Sequence, residues 1–269
     1  MIEQTEQTGS GLRVFREGHG EPLLFIHGCV SDRSYFRDAG TLLSDAFAVI
    51  RYDRRGYGDS PRPENGDYSI RAQALDALEV ADRFSSDRPV WVAAHSGGTL
   101  IALELMLRAP KRVRGAILVE PPLTYDPAVG SRLTAWFDEI DGFARQKKTA
   151  RAILVFADTA GDRRESGGRE SLEEVARTVK NMQAFLTGER QDMQSYHPEE
   201  AALRSLQIPA AIVVSEEGRQ KLFGQTSVSL AGRLGWPLYA VEGFHNAPKY
   251  RQEAFARLVR AFVDQHRIC

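Results

Sequence analysis

Short apolar runs recur along the chain, separated by longer stretches that are apolar on one side only. The runs are Pro22–His27 (PLLFIH), Phe47–Asp53 (FAVIRYD), Pro89–His95 (PVWVAAH), Gly115–Glu120 (GAILVE), Ala210–Ser215 (AAIVVS) and Pro237–Gly243 (PLYAVEG). None alternates cleanly between apolar and polar, as a strand with one wet face would, so they predict strands buried on both faces of a mostly parallel sheet. Gly11–Gly18 (GLRVFREG) alternates better and predicts an antiparallel edge strand at the start. Ser69–Phe84, Thr99–Ala109, Lys221–Leu234 and Tyr250–His266 carry helical spacing. Strand and helix in alternation predict an α/β fold with a doubly wound, mostly parallel sheet.

From Leu123 to Leu206 this rhythm stops. Ala152–Ala157 is apolar but has no turn signal before it, so it reads as buried helix. The stripes Leu133, Trp136, Phe137, Ile140 and Leu172, Val175, Val179, Met182, Leu186 have the spacing of amphipathic helices. Between them, Gly161–Ser171 (GDRRESGGRES) is charged and lacks large apolar residues, which predicts a mobile loop. The expected organisation is a core of residues 1–122 and 207–269 with a helical cap at 123–206.

A length of 269 residues suits one α/β domain with such an insertion. A formal net charge of -1 gives no pull toward nucleic acid or an anionic membrane, so the expected partner is a small molecule, and the chain a monomer or homodimer. Two cysteines, Cys29 and Cys269, make no disulfide framework. The opening MIEQTEQTGSG is polar and acidic, and no apolar run approaches the ~18 residues of a membrane span. These features predict a cytoplasmic protein. No His, Cys or carboxylate cluster has metal-ligand spacing, and neither metal nor cofactor is expected.

The chemistry concentrates where the third of the short apolar runs, Pro89–His95, ends. Ala94-His95-Ser96-Gly97-Gly98 lies between a predicted strand and a predicted helix, the setting of a nucleophile elbow. Such a turn strains the backbone at the serine and needs small residues two positions to either side, here Ala94 and Gly98. It leaves the Ser96 hydroxyl free at the C-terminal end of the sheet and aims the Gly97 N–H at a developing oxyanion. The glycines would also suit a dinucleotide-binding turn, but that pattern begins with glycine and this one with Ala94.

With its neighbours, this motif resembles the α/β-hydrolase fold family over nearly the whole chain. Phe25–Gly28 (FIHG) resembles the strand and His-Gly turn that supplies a second oxyanion donor, here the backbone N–H of Cys29. Tyr52–Ser60 (YDRRGYGDS) resembles the D-x-R-G-x-G-x-S loop, where Asp53 and Arg55 are expected to brace the backbone. Glu242–Pro248 (EGFHNAP) resembles the turn that carries the catalytic histidine, here His245. His27 and His95 fall inside these motifs, and His19, His197 and His266 on polar stretches.

The acid departs from the common family pattern. Ser215-Glu216-Glu217-Gly218 puts Gly218 where that pattern has aspartate, with Glu217 one residue early. Some lactone hydrolases of this fold instead resemble a second arrangement, with a glutamate ending the preceding strand, as Glu120 does before Pro121 and Pro122. Glu120 is the preferred acid and Glu217 the alternative. The resemblance implies a serine hydrolase of ester or lactone bonds. Aspartate-nucleophile dehalogenases and epoxide hydrolases fit less well. Cleavage of a carbon–carbon bond, acyl transfer to an acceptor other than water, and a low-turnover ligand receptor stay open as alternatives. Trp136, Phe137, Met182 and Phe185 are the expected substrate-binding residues, implying an apolar pocket.

Overall fold

The computed structural model describes residues 5–85, 87–160 and 171–267. Eight strands form one sheet: β1 (Thr5–Gln7), β2 (Arg13–Glu17), β3 (Glu21–Ile26), β4 (Phe47–Tyr52), β5 (Val90–His95), β6 (Val113–Val119), β7 (Ala210–Ser215) and β8 (Leu238–Val241). Their spatial order is β1-β2-β4-β3-β5-β6-β7-β8. β1 and β2 pair antiparallel, as do β2 and β4, and every other pairing is parallel. The stretch predicted as an edge strand is therefore one place in from the edge. The outer position belongs to Thr5–Gln7, three residues too short and too polar to register as a strand by pattern.

Successive side chains of a strand point to opposite faces, and both faces here are covered. Leu24, Ile26, Val92, Ala94, Leu118 and Ile212 pack on one side with helices α2 (Ile70–Phe84), α3 (Gly97–Arg108) and α9 (Leu222–Leu234). Leu23, Phe25, Trp91, Ala93, Val119 and Val213 pack on the other with α1 (Arg37–Leu43) and α10 (Gln252–His266). This two-sided burial is why the runs do not alternate in sequence. At about 1.5–3 kcal/mol for each large apolar side chain removed from water, it is also the main force holding the sheet together.

Between β6 and β7 the chain is helical: α4 (Pro127–Arg145), α5 (Thr149–Ala160), α6 (Leu172–Ala184), a π-helical turn at Phe185–Glu189, α7 (Arg190–Ser195) and α8 (Glu200–Arg204). No strand occurs there among the described residues. Asp126 accepts hydrogen bonds from the Ala128 and Val129 amides, with Pro127 opening α4. Ser171 and Glu174 form a capping box that starts α6. Leu133, Trp136, Phe137 and Ile140 are buried as their spacing predicts. The second stripe is only partly so, since Leu172 is 90% exposed and Val175 and Val179 are also exposed, leaving Met182 as its buried member. The run predicted as buried helix is amphipathic instead, with Ala152 buried and Leu154 exposed. Residues 161–170 of the predicted loop lie outside the described residues.

Candidate active site

β5 ends at His95 and α3 begins at Gly97, so Ser96 must reverse the chain by itself. Its φ of 50° and ψ of -127° lie in a region that a side chain rarely occupies. The surroundings leave no room for relaxation. A Cβ at Gly98 would stand 2.5 Å from the carbonyl oxygens of Ile26 and His27, and one at Gly97 would collide with Cys29 Sγ. A Cβ at Gly28 would come within 3.1 Å of Ser96 Cβ, so the Gly28 backbone runs directly beside the serine.

His245 follows β8 in a turn where Gly243 has φ 102°. Phe223 stacks on its ring at 4.5 Å, and its backbone carbonyl accepts a hydrogen bond from His95 Nε2 at 2.9 Å. Burial holds the His95 ring well below the usual histidine range, and the ring lies 4.6 Å from that of His245. Nδ1 of His245 lies 2.6 Å from Glu120 Oε2. Its Nε2 is buried without a hydrogen-bond partner, and His245 lines the same cavity as Ser96.

Glu120 comes one residue after β6, at φ 48°, and its backbone N–H still bonds to Val213 across the sheet. The sharp turn drops its side chain inward, to 1% exposure. Oε1 accepts hydrogen bonds from the Ser215 amide at 2.9 Å and from the Ser215 hydroxyl. Burial alone would raise this carboxyl, but the bonds from His245 and Ser215 prevail and hold it below the usual carboxylate range. Glu217 points elsewhere: its carboxylate accepts from the Gly243 amide and closes the turn before His245. A Cβ at Gly218 would collide with Ser215 Oγ and lie 3.4 Å from Glu120 Oε1. The space that an aspartate there would need is already filled.

Ser96, His95 and His245 border a cavity of about 230 Å³ together with Cys29. Its apolar wall comes from the helical segment, with Ile153, Phe156, Ala157 and Ala160 from α5 and Met182 from α6. Of the four expected substrate-binding residues, Met182 alone lines this cavity. Trp136, Phe137 and Phe185 belong to the core, where Phe156 packs between Trp136 and Phe185 at ring distances of 5.7 and 5.2 Å. They support the wall without forming it, because large aromatic rings at helical spacing gain most by full burial. Ile153, Phe156, Ala157 and Ala160 stand at i, i+3, i+4 and i+7, a periodicity from which the lining could have been read.

Asp53 and Arg55 brace their loop. Asp53 accepts from the Arg33 and Asp59 amides and pairs with Arg33, and Arg55 grips Asp76 with two donors. Less expected is Arg54 between them, 1% exposed and ion-paired with Glu189 of the π-helical turn, which is fully buried. Burial and the Glu189 carboxylate push the Cys29 thiol up, which suits a space-filling residue better than a nucleophile. Among the described residues, no three His, Cys, Asp or Glu side chains are grouped as a metal site would require.

A sequence model of the α/β hydrolase fold matches residues 21–184, more than half the chain. The chain belongs to the α/β hydrolase fold family. Two solved structures superpose on this α/β hydrolase almost end to end. A thermophilic esterase from Thermogutta terrifontis does so with a TM-score of 0.76 at 16% identity, over 99% of both chains. An N-acyl homoserine lactone degrading enzyme does so with a TM-score of 0.74 at 22% identity, over 97% of this chain and 100% of that one. At such identities the likeness is one of fold. The cis-3-alkyl-4-alkyloxetan-2-one decarboxylase of Shewanella oneidensis is 26% identical over 115 residues, 42% of this chain and 36% of its own. The matches to curated relatives span 36–42% of those proteins' lengths. No described helix of this α/β hydrolase is long and apolar enough to cross a membrane.

Proposed function

We propose that the chain is a serine hydrolase of ester or lactone bonds in small, largely apolar substrates. The observation that carries this reading is the 2.6 Å bond from His245 Nδ1 to Glu120, with Nε2 left unpartnered and His245 lining the cavity that Ser96 also borders. A buried carboxylate fixes the tautomer, so Nε2 is left as the acceptor for the Ser96 proton, and it stabilises the imidazolium that then forms. Ser96 Oγ attacks the substrate carbonyl, and the negative charge that develops on its oxygen is met by the Cys29 and Gly97 amides. The tetrahedral species collapses as His245 returns the proton to the leaving oxygen. Water, deprotonated by the same imidazole, then releases the acyl group from Ser96.

In this reading residues 123–206 are a cap over a core of 1–122 and 207–269, and α5 and Met182 shape the acyl site. The apolar wall favours a modest hydrocarbon group over a polar one. The relatives named for an oxetan-2-one and for a homoserine lactone, and the one named an esterase, keep both bond types in view.

A fluorophosphonate probe, with p-nitrophenyl acetate and butyrate as substrates, tests the reading. Ser96 is the expected site of labelling. Ser96→Ala should abolish labelling and lower turnover by several orders of magnitude, leaving what binding and the oxyanion donors supply. Labelling that survives in the alanine variant, or turnover close to the wild-type rate, overturns the assignment.

A further inference from the structure

The peptide unit between Gly28 and Cys29 has two ends. Its N–H belongs to Cys29, the proposed oxyanion donor, and its C=O to Gly28. In a trans peptide these two bonds point in opposite directions, so whatever holds the carbonyl also aims the N–H. The Gly28 carbonyl is held by two donors, Arg54 Nη2 at 2.9 Å and His27 Nδ1 at 2.8 Å. His27 can donate from Nδ1 because its Nε2 accepts from the Arg54 backbone N–H at 3.1 Å.

Arg54 is fixed in turn from the helical segment. Nη1 pairs with Glu189 Oε1 and donates to Gln73 Oε1 at 2.6 Å. Glu189 also accepts from the Tyr57 hydroxyl and from Gln73 Nε2 at 3.0 Å. The Arg54 guanidinium lies over the Tyr57 ring at 4.4 Å. All of these groups are buried. Replacing such a cluster by apolar residues would commonly cost nothing in stability, so its presence calls for another explanation.

We propose that Arg54 is a positioning residue for the oxyanion donor, and that Glu189 anchors it, so that docking of the π-helical turn onto the core sets the Cys29 N–H in place. The proposal rests on the serine-hydrolase reading above. The charge-assisted bond from Arg54 does two things. It locks the orientation of the Gly28–Cys29 unit beside Ser96, and it draws electron density toward the carbonyl, making the N–H at the other end a stronger donor. Both effects grow as charge develops on the substrate oxygen, so they act on the transition state more than on bound substrate.

Arg54→Lys keeps the charge but loses the fork that spans Glu189 and Gly28, and Glu189→Gln keeps the shape but loses the anchoring charge. Rates are expressed per active site, counted by fluorophosphonate labelling of Ser96, so that misfolded protein does not enter. Affinity for phenylboronic acid is measured alongside. Ser96 Oγ bonds to its boron while the hydroxyl proton passes to His245, giving a tetrahedral anion. The expected result is a fall in kcat of about 10- to 100-fold, smaller than the ~10²–10³ lost when an oxyanion donor is deleted outright. KM should stay within about threefold, and boronate affinity should fall in parallel with kcat. If Arg54→Lys does not fold, Glu189→Gln carries the same test. Wild-type kcat per labelled site, or an unchanged boronate affinity, overturns the proposal while leaving Ser96 as nucleophile. Absence of Ser96 labelling in the wild type overturns the underlying reading instead.

Discussion

A carboxylate that is 1% exposed stays ionised only if its oxygens are paired, and both oxygens of Glu120 are. Glu120→Gln preserves the shape and removes the charge that would stabilise a protonated His245. The expected loss is ~10³- to 10⁴-fold in kcat, with labelling of Ser96 slowed to match. Glu217→Gln touches only the Gly243 turn and should cost less than about tenfold. Steady-state kinetics on p-nitrophenyl acetate, with circular dichroism to show that both variants fold, decides between the two carboxylates. A larger loss at Glu217 would return Glu120 to a structural role. The placement of Ser96, Glu120 and His245 in turns that follow β5, β6 and β8 was legible in the sequence, because each such turn carries a local signal of small or turn-forming residues. What was not legible is why Gly218 replaces the usual aspartate. The reason is steric: Ser215 and Glu120 occupy that volume, and their contact joins residues 95 positions apart. Arg54 was overlooked for a related reason. It occupies the variable position of its motif, and its partner Glu189 lies 135 residues away in a segment with no motif at all.

At the level of elements, α5 supplies most of the apolar wall of the cavity beside Ser96. Ile153, Phe156, Ala157 and Ala160 present one face to the cavity, and of its two alanines Ala157 is the exposed one, with room for a larger side chain. Ala157→Phe is expected to lower kcat/KM for p-nitrophenyl butyrate on the order of tenfold more than for the acetate, as a pocket shortened by a few methylenes would. Equal effects on both esters would mean that acyl chains lie against another wall. Apart from the short β1 and α1, the main strands and helices packed on the sheet were predictable to within a few residues, since two-sided burial and helical periodicity are local signals. The helical segment was predictable in kind but not in detail. Its aromatic residues satisfy one periodicity while serving two purposes, core packing for Trp136, Phe137 and Phe185 and cavity lining for Phe156. Apolar character alone does not separate those purposes, because either surface excludes water.

Taken as a whole, the molecule joins its sheet core to its helical segment partly through charge. Glu189 binds Arg54, Tyr57 and Gln73 of the core, and Glu120 ties β6 to β7 and to the His245 turn. For both carboxyls burial works to raise the pKa, and the surrounding donors outweigh it, leaving each below its ordinary value of 4.5. A carboxyl whose pKa is depressed by folding binds fewer protons in the folded state than in the unfolded one. Its contribution to stability is therefore complete above 4.5 and drains away as the pH falls through the lower, folded value. Thermal melts from about pH 7 down to about pH 3 should show Tm level at first and then dropping below the mid-fours, as these carboxylates are forced to accept protons. Glu120→Gln and Glu189→Gln cannot titrate at those positions. Each should begin with a lower Tm near neutrality, and each should lose less on acidification than the wild type, so that the curves converge at the acid end. Curves that run parallel over the whole range would mean that other carboxyls drive the acid transition, and that these two contribute the same stability whether or not they are charged.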